Sequence, residues 1–169
     1  MKKRIAVISL FVALAALLLA TVPAASPALT LNPYEQQLVK VINQRRVKHH
    51  LARVHIRTSL VVAARSHSTE MDAQQYFAHN SPTTGECWSA RLIRCGYTRS
   101  GYSFWRAGEN IFKISGIYAA FPQTAVKAWM KSPAHRRVIL TRRFRDIGVG
   151  AVMSGDTKYV TLDLGRRIK

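Results

Sequence analysis

The sequence predicts an α+β domain in which helices surround few strands. Three observations predict it. Apolar residues recur at helical spacing in several segments between residues 33 and 140. Strand-like runs are confined to residues 146–165, where a turn sequence joins two of them into a hairpin. Strands and helices do not alternate, so a parallel βαβ sheet is not expected.

The first helix is announced by Asn32-Pro33-Tyr34-Glu35. Asn32 suits the N-cap, Pro33 the first helical position, and Glu35 can complete a capping box. Tyr34, Leu38, Val41 and Ile42 then follow at helical spacing, with Lys40, Arg45, Arg46 and Lys48 on the opposite face. A second helix is expected from Thr58 or Ser59 to about Gln75, with Leu60, Val61, Ala64, His67 and Met71 as its apolar stripe. A short third helix fits Cys87 to Arg94, stopped by Gly96. Residues 97–108 read as a loop rich in Tyr, Ser and Gly. Another helix starts near Pro122, carries Val126, Trp129 and Met130, and stops at Ser132-Pro133. A helical turn from His135 to Leu140 follows. Asp146 to Met153 and Lys158 to Gly165 read as strands joined through Ser154-Gly155-Asp156-Thr157.

Length and composition limit the function. The chain has 169 residues, enough for one domain and too few for a two-domain cofactor enzyme of ordinary size. An apolar fraction of 48% excludes a wholly disordered chain. Lys and Arg number 26 against 8 Asp and Glu, a formal charge of +18, so an anionic partner or surface must feel this field.

Residues 1–28 have the layout of a secretory signal peptide. Lys2, Lys3 and Arg4 precede an apolar run from Ile5 to Ala20, and small residues with two prolines follow. Cleavage is expected after Ala24 or Ala28; an uncleaved anchor is the competing reading, since the run approaches the ~18 residues of a minimal span. Removal would leave residues 29–169 as a single domain with 23 basic side chains against 8 acids, net +15. The exported domain would be periplasmic or extracellular. Cys87 and Cys95 would then meet an oxidising compartment. Eight residues of continuous helix would separate their Cα atoms by about 12 Å, beyond the ~7 Å limit for a disulfide. Pairing needs one of them outside the helix, and both a bridge and two free thiols stay open.

Four segments recur in a recognisable order: His67-Ser68-Thr69-Glu70-Met71; Tyr76-Phe77-Ala78-His79-Asn80-Ser81-Pro82; Gly108-Glu109-Asn110-Ile111; and Trp129-Met130-Lys131-Ser132-Pro133-Ala134-His135-Arg136, with Ile147-Gly148-Val149-Gly150 behind. This set resembles the CAP superfamily of cysteine-rich secretory, antigen 5 and pathogenesis-related 1 proteins, and within it the compact bacterial SCP-domain branch. The resemblance covers roughly residues 32–165. It implies an α–β–α sandwich with a small central antiparallel sheet between helical layers. It also implies a cleft lined by two His and two acids. His79 matches the first His, Glu109 the acid of Gly-Glu-Asn, and His135 the second His. The second acid, placed before the second His in animal and plant members, is missing from Ala128-Trp129-Met130-Lys131-Ser132.

The residue chemistry leaves several roles open for these three. Two neutral imidazoles in a cleft can bind a divalent metal such as Zn²⁺ with water completing the shell. Glu109 can orient a His, bind metal weakly, or act as base on bound water. Alternatively, His79, Glu109 and His135 hold loops together as a buried polar network. There is no His-Glu-x-x-His helix and no nucleophile elbow. His67 fits a core histidine. His49 and His50 suit the C-terminal end of the first helix. Asn110 is expected to bond backbone, and Trp129 and Met130 to pack in the core. Tyr97, Tyr102, Phe104 and Trp105 form either a groove wall or a satellite cluster.

Basic clusters recur at Arg45-Arg46 and Lys48, Arg136-Arg137, Arg142-Arg143 with Arg145, and Arg166-Arg167 with Lys169. They read as a solvated face or as phosphate-binding patches. No helix-turn-helix, RNA-recognition or zinc-finger signature occurs, so sequence-specific nucleic-acid reading is not expected. The reading favoured by the sequence is a ligand-binding module at the anionic cell envelope, with phospholipid, lipopolysaccharide or teichoic acid as partners and a small lipid or peptide as ligand. The alternative is a metal-assisted hydrolase of peptide or envelope polymer using the same cleft.

Overall fold

The Asn32 cap forms as its sequence requires. The Glu35 N–H donates to Asn32 Oδ1 at 2.9 Å and the Asn32 N–H donates to Glu35 Oε2 at 2.9 Å, opening helix α1 (Pro33–Lys48). The computed structural model describes residues 29–169; residues 1–28, for which a signal peptide is expected, lie outside them. Then come β1 (His55–Ile56), α2 (Thr58–Ala73), α3 (Trp88–Arg94) and β2 (Phe104–Ser115). They are followed by α4 (Pro122–Lys131), α5 (Pro133–Leu140), β3 (Asp146–Ser154) and β4 (Thr157–Ile168). Among the described residues no helix is long and apolar enough to cross a membrane.

The strands form one sheet in the order β1-β3-β4-β2. β3 and β4 make the expected hairpin, and Gly155 at its tip takes φ 57°, a left-handed conformation that glycine adopts without steric cost. β2 pairs antiparallel with β4 along its full length, and β1 pairs parallel with β3. The sheet is therefore antiparallel except for the two-residue β1.

Alternation along the strands sends side chains to two helical layers. Ile147, Val149, Val160, Leu162 and Leu164 pack with Leu38 and Ile42 of α1, Val126 and Trp129 of α4, and Ile139 of α5. On the other face Gly148 and Gly150 let α2 lie directly on β3. A Cβ on Gly148 would sit 2.1 Å from the Leu60 carbonyl carbon, and one on Gly150 2.3 Å from that of Ala64. With α3 beside α2, the arrangement is an α–β–α sandwich.

Three expectations need correction. Residues 104–108 are strand, not loop, because Trp105 and Ala107 face α2 and α3 and pair across to Arg167 and Gly165 of β4. Of the aromatic residues before Glu109, Tyr97 and Trp105 are packing and not a groove wall: Tyr97 is fully buried with Leu60, Ala63 and Leu92, and the Trp105 indole N–H donates to the Tyr97 carbonyl at 2.9 Å. Arg46 does not belong to a solvated basic face. It is fully buried, and its guanidinium donates to the carbonyls of Ala52, Ile139, Thr141 and Phe144.

The cysteines flank α3, Cys87 before it and Cys95 after it, and both are free thiols. The intervening seven-residue helix holds them about 12 Å apart by its rise alone, which is why the disulfide alternative is not realised.

Candidate functional site

His79 sits in the turn after α2, and this turn is anchored from several sides. His67, fully buried on α2, donates through Nε2 to the Ala78 carbonyl at 2.9 Å. It is thus the core histidine expected. The Arg91 guanidinium donates to the His79 carbonyl at 3.0 Å. The Ser81 hydroxyl donates to Glu70.

Glu109 comes from the centre of β2 and backs the His79 ring. Its Oε1 lies 2.9 Å from His79 Nδ1, and its Oε2 accepts from Arg91 Nη2 at 2.7 Å. A carboxylate offers only lone pairs here, so the His79 Nδ1 carries the proton and Nε2 is left free. The Glu109 side chain is 1% exposed while that of His79 is 45% exposed. Glu109 therefore orients the imidazole. With both oxygens engaged and buried, it is not positioned as a metal ligand or as a base on cleft water.

His135 comes from the opposite helical layer. Ser132 ends α4 and precedes α5, Pro133 takes the first helical position, and the Ser132 hydroxyl lies 2.8 Å from His135 Nδ1. Asn110, next to Glu109 but on the other face of β2, donates to the His135 carbonyl at 3.0 Å. Asn110 therefore bonds backbone, as expected, and it fixes the start of α5. Partial burial, and secondarily the nearby His79, hold the His135 imidazole below its ordinary pKa.

His79 and His135 meet across the outer edge of β2. They line one cleft of about 440 Å³ with Phe77, Ile111, Phe112 and Trp129. Trp129 also belongs to the core: it is 1% exposed, and its indole N–H donates to the Ile111 carbonyl at 2.9 Å. The cleft has mostly apolar walls and two imidazoles whose Nδ1 atoms are already held. That is the usual composition of a small-ligand site, with a few placed polar groups on an apolar surface.

Two residues beneath the cleft were not singled out in the sequence. Arg91, from α3, is fully buried and bridges the His79 carbonyl and the Glu109 carboxylate. Asp163 faces Glu109 from β4 and is fully buried. Burial, and next the Glu109 charge, push its carboxyl well above the ordinary range. Among the described residues no N–H or O–H donates to either Asp163 oxygen. The available signal was a lone acid within the apolar run Tyr159–Leu164.

The donor set decides what metal chemistry is possible. The two free Nε2 atoms suit a weakly held divalent cation with water completing its shell. A catalytic zinc centre takes three protein ligands, and among the described residues no group of three or more His, Cys, Asp or Glu is arranged to hold a metal.

Comparison with known proteins agrees with this architecture. Residues 39–164 match the model of the cysteine-rich secretory protein family, CAP. The chain belongs to the CAP family. The CAP chain is 37% identical over 126 residues to the uncharacterized protein YkwD of Bacillus subtilis, covering 75% of this chain and 45% of that one. It is 31% identical over 133 residues to the uncharacterized membrane protein YlbC of the same organism, covering 79% and 34%. Among solved structures, an extracellular SCP-domain protein from Bacillus anthracis superposes with TM-score 0.63 at 28% identity, over 83% of this chain and 45% of that one. The CAP chain thus spans less than half the length of these curated relatives.

Proposed function

We propose that this CAP domain is an exported ligand-binding module of the cell envelope, which takes a small lipid or peptide into the cleft between His79 and His135. The observation that carries the reading is the meeting of two oriented imidazoles, from opposite helical layers, over an apolar groove. The imidazoles supply hydrogen bonds or charge to a polar head, and Phe77, Phe112 and Trp129 supply the surface for an apolar tail. A divalent cation such as Zn²⁺, held by the two Nε2 atoms, is a further means of engaging an anionic head. Export to the periplasm or the exterior follows from the leader-like residues 1–28.

The basic surface would hold the domain near phospholipid, lipopolysaccharide or teichoic acid. All eight acids of the chain lie within the described residues, and Glu35, Glu109, Asp146 and Asp163 among them are buried. Arg46, Arg91 and Lys158 are buried as well, so the exposed surface keeps the large basic excess of the chain.

A blocked cleft tests the reading. Ala128 is exposed and borders the groove, so Ala128→Trp fills it without touching either His. A fluorescent fatty acid should bind the wild type saturably, and Ala128→Trp and the double His79→Ala/His135→Ala should both weaken it. Equal binding by all three proteins would exclude the cleft.

A further inference from the structure

We propose that Arg143, Arg145 and Arg166 form a binding site for a dianionic phosphate group at the end of the sheet remote from the His cleft. The three arginines line one pocket of about 440 Å³ with Phe104 and Ile168, and among the described residues no acid lines it. Two of them come from the segment joining α5 to β3, and Arg166 comes from β4. The site deepens the envelope-anion part of the proposed function and is independent of the cleft.

Unbalanced charge is the first argument. In the β2–β4 register Arg106 lies directly opposite Arg166. Like charges in that relation destabilise a sheet. Among the described residues neither is relieved by a carboxylate, nor are Arg143 and Arg145. The neighbouring acid, Asp146, is buried and already engaged by Arg57 and by the Tyr97 hydroxyl. A bound dianion would supply the missing counter-charge.

Preorganisation is the second. Arg145 Nη1 donates to the carbonyls of Arg142 and Phe144 at 2.7 and 2.8 Å, which fixes the guanidinium and leaves Nε and Nη2 without an acceptor among the described residues. Arg143 lies over the Phe104 ring at 5.7 Å, within cation–π range. The segment that carries both is held from below by buried Arg46, through the carbonyls of Thr141 and Phe144. Burial, then the Arg145 charge, push the Arg46 guanidinium down to about 10. Arginine offers paired N–H groups that match phosphate oxygens, and three guanidiniums suit a dianion better than a carboxylate.

Inorganic phosphate is the first probe, titrated calorimetrically into the full domain against a chloride background. The wild type should bind it saturably at one site. Arg143→Gln/Arg166→Gln should weaken binding by about tenfold or more. Lys40→Gln/Lys48→Gln removes the same charge from exposed positions of α1 and should leave binding within about twofold. Circular dichroism and the unfolding midpoint establish that each variant is folded; Arg143→Gln alone, at an exposed position, provides the reading if the double variant is not. Non-saturable phosphate binding, or equal weakening by the two double variants, would overturn the site.

Vesicles separate the sources of phosphate. Phosphatidic acid should be preferred over phosphatidylserine at matched surface charge, and inorganic phosphate should compete. Vesicle binding without a saturable phosphate site would defeat this inference and leave the envelope reading standing. A phosphate site without vesicle preference would defeat a lipid source and leave soluble or polymer-borne phosphate as the ligand.

Discussion

Glu109 and Asp163 stand opposite each other in the β2–β4 register, and both carboxyls are buried. One is answered by Arg91 and His79; the other has no donor among the described residues. The visible His79 is therefore the outer member of a group of four titratable side chains, His79, Glu109, Arg91 and Asp163, gathered on the α2–α3 face of the sheet. Its orientation depends on residues that no ligand touches.

Asp163 should make the protein less stable as the pH rises. Its folded pKa is raised, so the stabilising contribution of its proton is full below the unfolded value near ~3.9 and is lost as pH climbs through the folded value. Asp163→Asn mimics the protonated acid permanently. Its urea midpoint, relative to wild type, should improve from pH 5 to pH 8. A constant difference between the two would show that Asp163 is ionised in the fold.

His67 should act in the opposite sense. Burial is the main cause holding its pKa down, with Glu109 partly offsetting it. The stability this represents is present above the unfolded value near ~6.5 and lost as pH falls. Wild type should therefore weaken between pH 7 and pH 5, and His67→Gln should flatten that limb of the profile. Identical slopes for the two proteins would refute the assignment.

Arg91→Leu should cost about 3–5 kcal/mol, because it strands a buried carboxylate. Glu109→Gln in the same chain should recover part of that loss. The double-mutant cycle, read by denaturant unfolding, should give a coupling of about 1 kcal/mol or more. Additive losses would mean that the two side chains do not form a unit.

Gly148→Ala should destabilise by about 3 kcal/mol, since its Cβ would fall inside the backbone of α2 at Leu60. Neighbouring Val149→Ala, which only shortens a core side chain, serves as the comparison in thermal melts. A near-neutral Gly148→Ala would mean that α2 can lift from β3 freely.

Thiol titration should find two reactive cysteines per domain under native, oxidising conditions. Cys87 should react first. It is exposed and its pKa is lowered chiefly by the Ser89 hydroxyl, whereas burial raises that of Cys95. Finding no thiol at all would require α3 to unwind.

Much of this was legible in the chain. Asn32, Pro33 and Glu35 specify the start of α1 because their groups meet within one turn. The hairpin was legible because its turn and its alternation agree. β2 was missed because half of it reads as polar and Gly-interrupted, and its packing depends on β4, some fifty residues later. His79, Glu109 and His135 were legible only through the ordered motifs. Nothing local in the sequence says that Glu109 lies under a ring 30 residues away. Arg46 reads as surface charge, and Arg91 escapes notice, because their carbonyl and carboxylate partners are supplied by distant segments.

β2 is the last strand of its sheet, and the cleft lies along its open side. An exposed strand edge is a template for another chain. Here the Trp129 indole occupies the Ile111 carbonyl, and the turn bearing His79 and the helix bearing His135 flank the strand. The groove that admits a ligand is thus also a guarded seam against self-association. Variants that widen it to take larger ligands should be watched first for fibrils, because widening uncovers the strand edge that these groups shield.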